Sequence, residues 1–292
     1  MSTVRAGRRT IEISSPDKIM FPAAGVTKLE LAEYYAAIGP TMVPWVRDRP
    51  ITIHSFPRGI EGEGIYIKSA PKHFPDWIER ATIPKRGGTV THVLANEPAT
   101  LVYLAGQNCI TPHIHLSKAD KPHLPDRVIF DLDPPEGSSF ADVRAAARDL
   151  GELLRDRGYA TYAMVTGSKG VHVVVPIRRE HDFENVYRWA KAIGEEVAAE
   201  SPDKLTLEFL KANREGRIYV DVRRNAYAQH AVAPYAVRPR ESAPVAMPIE
   251  WDELSDRKLD PQGWTVRTAP ARLEEQGDAW KGMTRRAKAL RL

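Results

Sequence analysis

Two aspartates, Asp131 and Asp133, end an apolar run in the stretch RVIFDLDPPEG. Because side chains alternate along a strand, both carboxylates face one side while Phe130 and Leu132 face the other. A third aspartate, Asp221, ends the run IYVD in GRIYVDVRRN. Carboxylates that meet on one open face of a sheet repel each other unless cations lie among them. If neighbouring strands carry these three, they would suit one or two divalent metal ions with oxygen ligands.

A second candidate is the stretch TGSKGVH, which runs from Thr166 to His172. Its glycines allow a phosphate to approach backbone amides, while Ser168 and Lys169 can add a hydroxyl and a positive charge. Gly-Ser-Lys-Gly is also good chemistry for an ordinary hairpin turn. The triphosphate interpretation is favoured only if this turn lies on a strand beside the two aspartates.

Two further clusters combine basic and aromatic residues. Lys28 lies in the first turn of a predicted helix, where free amides and the helix dipole attract phosphate, and Lys18 lies on the approach to it. Tyr66 and Lys68, in GIYIKS, pair a ring with a base, as surfaces that stack nucleic-acid bases do. A solvated lysine and an alternating edge strand are the simpler alternatives.

The histidine and cysteine pattern does not indicate a soft-metal site. His113 and His115 stand at strand spacing in ITPHIH, but a zinc site would need ligands that the sequence does not supply, so a polar contact is expected. Cys109 is the only cysteine, which excludes an intrachain disulfide and favours a reducing compartment.

Composition limits the class of protein. The 292 residues are 42% hydrophobic and 27% charged, with a formal net charge of +4. These values are typical of a globular chain with a sizeable core. No stretch approaches the roughly 18 apolar residues of a spanning helix, so no membrane association is expected. The mild basic excess is compatible with nucleic acid, and we expect a cytoplasmic, nucleoid-associated protein.

The elements around the aspartates predict how they are positioned. The order from residue 127 is strand (RVIFD), helix (SFADVRAAARDLGELLRDRG), strand (ATYAMVT), strand (VHVVVPI), helix (FENVYRWAKAIGEEVAAE) and strand (GRIYVDVRRN). This β-α-β-β-α-β order is the ferredoxin-like unit, an antiparallel sheet with both helices on one face. Its first strand lies between the third and the fourth, so Asp221 should lie near Asp131 and Asp133. The fold class is therefore α+β.

The preceding part of the chain predicts an N-terminal α/β subdomain. VTKLELAEYYAAIGPTMV is a helix with Thr27 as N-cap and Glu30 completing a capping box. Short strands broken by Gly and Pro follow from Ile51 to about Val93, and PATLVYLAGQNCI predicts a second helix. The polar stretch SKADKPHLPD is a connection. We therefore expect one catalytic domain, with an N-terminal subdomain at 1–120 and a palm with a C-terminal segment at 121–292.

Four ordered motifs together resemble a known family. IFDLDP, TGSKGVHVVVP, IYVDVRRNA and AVAPYAVR are similar to the polymerase domain of bacterial DNA ligase D, in the archaeo-eukaryotic primase-polymerase superfamily. The resemblance covers nearly the whole chain, from PDKIMFPAAGVTK to WTVRTAPARL. Its palm has the same ferredoxin-like sheet.

The resemblance implies a role for each matching residue. It makes Asp131, Asp133 and Asp221 the catalytic ligands of two metal ions, Mn²⁺ or Mg²⁺. The other implied contacts are with the nucleotide triphosphate (Ser168, Lys169, His172, Arg238 and His113), the DNA 5′-phosphate (Lys18 and Lys28) and the template (Tyr66, with Lys68 beside it).

The resemblance also implies an activity. The family extends primers, fills short gaps in break repair and prefers ribonucleotides, so the expected partners are gapped or broken DNA with a 5′-phosphate, NTPs or dNTPs, and the end-binding and ligase proteins of break repair. Ile65 departs where many members carry a second aromatic residue, and Ser55 departs where many carry an arginine. Neither the K-x-D-G of a ligase nor a phosphoesterase module is present, which fits a stand-alone relative or an excised domain.

Two other functions stay open from the sequence. Haloacid-dehalogenase-type phosphatases also place D-x-D after an apolar strand, although usually near the N-terminus and followed by Gly and Thr or Val rather than by Pro134 and Pro135. A non-catalytic module that binds DNA ends would bind a phosphorylated gap without incorporating nucleotides.

Overall fold

A computed structural model describes the chain from Met1 to Leu292. In chain order its strands are β1 (Ser2–Ala6), β2 (Arg9–Ile13), β3 (Ile19–Phe21), β4 (Val26–Thr27), β5 (Pro50–Ser55), β6 (Ile65–Ile67), β7 (Arg80–Lys85), β8 (Gly88–Leu94), β9 (Cys109–Ile114), β10 (Arg127–Asp133), β11 (Tyr162–Val165), β12 (Val171–Pro176), β13 (Leu205–Thr206), β14 (Ile218–Asp221), β15 (Ala231–Val232) and β16 (Met247–Ile249). The helices are α1 (Lys28–Val46), α2 (Pro98–Gly106), α3 (Phe140–Asp156), α4 (Phe183–Glu200) and α5 (Ala269–Gln276). The fold is thus mixed α and β, as expected.

The chain forms two compact units. The first contains residues 1–122, 230–247 and 264–278, and the second contains residues 123–229, 248–263 and 279–292. The first division falls inside the predicted polar connection. Two later segments, 230–247 and 264–278, belong to the first unit, although the division based on sequence counted them with the palm.

The second unit is built on a six-stranded sheet in the order β13-β14-β10-β12-β11-β16. β10 lies between β14 and β12 and is antiparallel to both, which is the neighbour relation predicted for the first strand. Helices α3 and α4 both pack on β10, and Phe130 contacts the ring of Trp189 on α4 at a centroid distance of 6.4 Å. The apolar side of β10 therefore faces the helices, and its aspartates lie on the other side.

Strand β14 ends earlier than the sequence predicts. β14 stops at Asp221, because Val222 adopts helical dihedral angles (φ −93°, ψ −5°) and a 3-10 helix begins at Arg223. Arg223, which was included in the predicted strand GRIYVDVRRN, therefore lies outside it.

The first unit contains a second sheet, in the order β15-β9-β5-β8-β7, with β6 paired to β5. Helix α1 begins as predicted, with the capping box between Thr27 and Glu30 in place. Helix α2 ends at Gly106 rather than continuing to residue 110. Asn108 adopts a left-handed conformation (φ 63°), and the chain turns there into β9.

No helix of the protein combines the length and apolar character that crossing a bilayer requires.

Candidate active site and anion site

Three polar side chains of the second unit form one row across neighbouring strands. Asp131 on β10 is the direct partner of Asp221 on β14 and of His172 on β12. The Oδ1 atom of Asp131 lies 3.4 Å from Nε2 of His172. We call these three residues the Asp-His row. The sequence predicted that the two aspartates meet, and the antiparallel register brings them together.

Arg224 is the cation that the two aspartates of the Asp-His row share. Its Nε atom lies 3.5 Å from Oδ2 of Asp131 and 3.4 Å from Oδ2 of Asp221. The other oxygen of Asp221, Oδ1, accepts hydrogen bonds from the backbone N–H of Arg223 (2.8 Å) and from the hydroxyl of Tyr219 (3.3 Å). Burial raises the pKa of Asp221; Arg224 opposes this shift, and the nearby charge of Asp131 adds to it. Arg224 therefore partly neutralises the negative charge of Asp131 and Asp221.

Asp133 has a different set of contacts. It pairs in register with Tyr219, and its Oδ2 atom accepts a hydrogen bond from Nη1 of Arg214 at 3.1 Å. The guanidinium of Arg214 also lies 4.1 Å above the ring of Tyr219. In this conformation no group of three His, Cys, Asp or Glu side chains is arranged to hold a metal ion. The structure therefore brings two of the three predicted ligands together and turns the third towards an arginine.

The chemistry of the donors nevertheless fits a hard divalent cation. Asp131 and Asp221 each direct one carboxylate oxygen at the same positively charged atom, and carboxylate oxygens are the preferred ligands of Mg²⁺ and Mn²⁺. Asp133 can join them once its side chain leaves Arg214, since nearly half of that side chain is exposed.

The predicted phosphate loop connects β11 and β12 as a tight hairpin. Thr166 closes it, because its N–H donates to the carbonyl of Gly170 at 3.0 Å and its hydroxyl accepts from the N–H of Gly170 at 3.2 Å. Lys169 is exposed, 3.7 Å from a carboxylate oxygen of Glu136. The carbonyl of Ser168 accepts a hydrogen bond from the side chain of Gln262. The turn thus presents an exposed lysine next to a serine whose backbone carbonyl is hydrogen-bonded.

Two features fix this hairpin beside β10. A Cβ atom at Gly170 would lie 2.2 Å from the carbonyl oxygen of Leu132, so only glycine fits there. His172 follows on β12 and is buried, with an Nδ1 atom that has no hydrogen-bond partner in the structure. Buried polar atoms are usually paired, so this atom is suited to meeting a ligand oxygen.

The first unit brings the two predicted 5′-phosphate lysines together, and we call them the lysine pair. The backbone N–H of Lys28 donates to the carbonyl of Lys18 at 2.8 Å. The ammonium of Lys18 donates to the carbonyl of Pro57 and to Oδ1 of Asn108, and that of Lys28 donates to the hydroxyl of Ser14 at 3.2 Å. All these partners are neutral. Burial lowers the pKa of both lysines, and the charge of Lys18 lowers the pKa of Lys28 further.

The predicted contribution of free helix amides to this site is wrong. The N–H of Lys28 already bonds to Lys18, that of Leu29 bonds to the carbonyl of Pro16 at 3.0 Å, and that of Glu30 bonds to the hydroxyl of Thr27 at 3.1 Å. The capping box and the preceding turn thus satisfy the amides that begin α1. An anion at this site would meet the two ammonium groups instead.

Tyr66 belongs to an aromatic group in the first unit. Its ring stacks on that of His54 with centroids 4.0 Å apart and planes 9° apart, and it stays about half exposed. Lys68, two residues further along, is exposed. Ile65 is also exposed, whereas Ser55 is buried with its hydroxyl 3.4 Å from the carbonyl of Gln107. His54 therefore supplies a second ring that is stacked on Tyr66.

His113 and Arg238 lie in the same unit. His113 contacts the rings of His54, Tyr66 and His230 at centroid distances of 5.0–6.0 Å. Burial and the positive charge of Arg238 lower the pKa of His54 to about 4. At neutral pH His54 is therefore uncharged and behaves as an aromatic ring.

Several residues of these sites were not found from the sequence. Arg224 lies inside a quoted motif, where its spacing of three from Asp221 was the available signal. His54, His230 and Arg214 gave no local signal, because each reaches its partners through tertiary contacts.

Comparison with known proteins shows the family of this chain. Residues 27–280 match the family model described as LigD, primase-polymerase domain. The multifunctional non-homologous end joining protein LigD of Mycolicibacterium smegmatis is 31% identical over 92% of this chain, and the bifunctional LigD of Bacillus subtilis is 27% identical over 91%. The chain spans 35% and 43% of their respective lengths.

A solved structure matches as well. The polymerase domain of Mycobacterium tuberculosis ligase D, in complex with DNA, superimposes with a TM-score of 0.89 at 29% identity. The match covers 95% of this chain and 99% of that one.

Proposed function

Because this chain belongs to the LigD primase-polymerase family, we propose that it is a template-directed nucleotidyltransferase that extends primers and fills short gaps during non-homologous end joining. The observation that carries the proposal is the convergence of Asp131 and Asp221 on one cation position within a chain of this family. Family membership favours this activity over the phosphatase and over the non-catalytic module.

Two divalent ions, Mn²⁺ or Mg²⁺, would activate the primer 3′-hydroxyl and neutralise the leaving pyrophosphate. Asp131 and Asp221 supply oxygens that already point at a common position. Asp133 would complete the ligand set if its side chain left the guanidinium of Arg214, to which it is hydrogen-bonded here. Tyr219 and the N–H of Arg223 hold the second oxygen of Asp221, so this carboxylate is oriented before anything binds.

The remaining residues bind the substrates in this proposal. Ser168, Lys169 and His172 contact the triphosphate, which is supported by the exposed ammonium and by the buried Nδ1 of His172. Arg238 and His113 are assigned to the nucleotide by the family resemblance. Ribonucleotides are preferred on the same basis.

DNA is bound through two groups of the first unit. The lysine pair holds the 5′-phosphate, because two ammonium groups with neutral partners attract a dianion. Tyr66 stacks on a template base through its exposed ring face, and Lys68 contacts the backbone near it.

The architecture belongs to the proposal too. We interpret the sheet centred on β10 as a ferredoxin-like palm, and residues 1–120 as the subdomain with the 5′-phosphate site. Proteins that bind and ligate DNA ends are the expected partners, since relatives that carry this domain are named for end joining.

The deciding experiment is primer extension on a gapped duplex with a 5′-phosphate, comparing NTPs and dNTPs with Mn²⁺ and with Mg²⁺. We expect templated incorporation that requires a divalent ion and is faster with NTPs. Binding of the gap without incorporation under either metal would leave only the end-binding module. Release of phosphate from a phosphomonoester without extension would point to the phosphatase, and a dNTP preference would overturn the ribose assignment alone.

A further inference from the structure

The position between Asp131 and Asp221 is held by a protein cation. Nε of Arg224 lies 3.5 Å and 3.4 Å from the two Oδ2 atoms that face each other across β10 and β14. These are the same oxygens that the proposed function assigns to a divalent ion. One position therefore has two candidate occupants, and they carry the same sign of charge.

The backbone that carries Arg224 is fixed, so only its side chain can move. The next residue, Asn225, is fully buried, and its side-chain amide pairs with both the N–H (2.9 Å) and the carbonyl (2.7 Å) of Ile129. The same amide also donates to the carbonyl of Val222 at 2.9 Å. This clamp ties the 3-10 helix Arg223–Asn225 to β10, the strand of Asp131.

The distances from Nε of Arg224 to the two carboxylates are long. Charge-assisted N–H···O bonds are typically about 2.7–2.9 Å long, and both distances at Arg224 are longer. The side chain of Arg224 is more than a third exposed. It also borders a cleft of about 430 Å³ that is lined by Tyr187, Phe209 and Gln229. The guanidinium can therefore withdraw from the two carboxylates without disturbing the core.

We propose that Arg224 is the internal counter-cation of the metal site: it neutralises Asp131 and Asp221 in the metal-free protein and gives way to the divalent ion. This inference rests on the proposed function, because it takes the two aspartates as metal ligands. Arg224 acts here as a positioning residue. It keeps two facing carboxylates close together, at a cost in metal affinity.

Titration of the metal-free protein with Mn²⁺, followed through the electron paramagnetic resonance signal of the free ion, tests the inference without any turnover. Arg224→Gln removes the charge, and we expect about 10-fold tighter Mn²⁺ binding, since a unit charge a few ångströms away no longer competes. Arg224→Lys keeps a positive charge and should bind Mn²⁺ close to wild type. Unchanged or weaker binding by Arg224→Gln would overturn the inference.

Thermal unfolding gives a second measurement that separates competition from a purely structural role. Arg224→Gln should unfold at a lower temperature than wild type in EDTA, and at the same temperature in saturating Mn²⁺. A lower unfolding temperature in both conditions would mean that Arg224 only supports the fold.

Asp221→Asn distinguishes failure of this inference from failure of the proposed function. If Asp221→Asn binds Mn²⁺ as wild type does, the aspartates are not metal ligands and the proposed function loses its central observation. If Asp221→Asn loses Mn²⁺ while Arg224→Gln gains nothing, the metal site stands and only the role of Arg224 is wrong.

Discussion

The Asp-His row and the lysine pair differ in how the protein compensates their charge. Asp131 and Asp221 share the guanidinium of Arg224, so the negative charge of the row is already partly neutralised by the protein. Lys18 and Lys28 lie near each other and donate only to neutral oxygens, so their positive charge is left uncompensated. A cation must therefore displace the guanidinium of Arg224 to enter the first site. An anion can enter the second without displacing a charged group.

Removing a carboxylate from the proposed metal site should have the largest effect. Asp221→Asn, Asp131→Asn and Asp133→Asn should each lower incorporation on the order of 10³-fold or more, because the transition state loses charge stabilisation at the metal. Single-turnover primer extension measures this. Asp149→Asn, an exposed change on α3, is the matched control and should keep full activity. Normal primer extension by Asp221→Asn would show that Asp221 is not a metal ligand. The contrast between a neutralised acidic site and an uncompensated basic site would then no longer hold.

Removing the lysine pair should have the next largest effect. Lys18→Ala/Lys28→Ala should weaken binding to a gap with a 5′-phosphate by roughly 1–3 kcal/mol, the range of charge-assisted hydrogen bonds, and should change binding to a 5′-hydroxyl gap little. Fluorescence anisotropy at one salt concentration measures both. The control is Lys72→Ala/Lys121→Ala, which removes two exposed lysines of the same unit. Equal weakening on both substrates would mean that the pair is only part of a basic surface.

Tyr66 is an uncharged residue in the same unit as the lysine pair, so its contribution to DNA binding can be compared with theirs. Tyr66→Ala should weaken binding to templated DNA by about 1 kcal/mol, at the low end for base stacking because His54 covers one ring face. The loss should be nearly independent of salt, whereas the loss from the lysine change should shrink as salt rises. Tyr66→Phe keeps the ring and should bind like wild type. A salt-dependent loss would show that Tyr66 acts through neighbouring charges.

The smallest effect concerns the stability of the protein without DNA. Burial and Lys18 lower the pKa of Lys28, so near neutral pH its charge destabilises the fold. Lys28→Met should raise the free energy of unfolding by at most about 1 kcal/mol at pH 7, since Ser14 is exposed and can bond to water instead.

The sign of this effect predicts its pH dependence. The folded state binds Lys28's proton less tightly than the unfolded state, so wild-type stability rises as the pH increases through the lowered pKa. The difference between wild type and Lys28→Met, measured by chemical denaturation, should therefore narrow towards pH 10. A gap that widens with pH would contradict a lowered pKa for Lys28.

Local patterns predicted most of the second unit. Alternation along RVIFDLD placed Asp131 and Asp133 on the side away from the helices, and the order of elements placed β10 between its partners. The capping box of α1 was equally legible, because Thr27 and Glu30 interact within one turn. Such features depend on spacing within a few residues, which a sequence displays directly.

The remaining features depend on contacts between distant segments. Arg214 reaches Asp133 across 81 residues, and His54 reaches Tyr66 through the pairing of β5 with β6. The amides at the start of α1 looked free from the sequence, but the turn before it supplies the carbonyls of Pro16 and Lys18. The predicted strand extended through Arg223, whereas the chain bends at Val222. That bend depends on Asn225, whose side chain binds β10 and was not predictable from the local sequence. No periodicity reveals such partners.

The close approach of Gly170 to Leu132 also bears on the register of β12, and so on which of its side chains lies beside Asp131. A Cβ atom at residue 170 would lie 2.2 Å from the carbonyl oxygen of Leu132, so the observed alignment of the hairpin with β10 requires glycine there. A shift of one residue would turn every side chain of β12 to the opposite face, which would send His172 among the helices and bring a valine beside Asp131. Glycine at position 170 thus permits the register in which His172 lies directly beside Asp131.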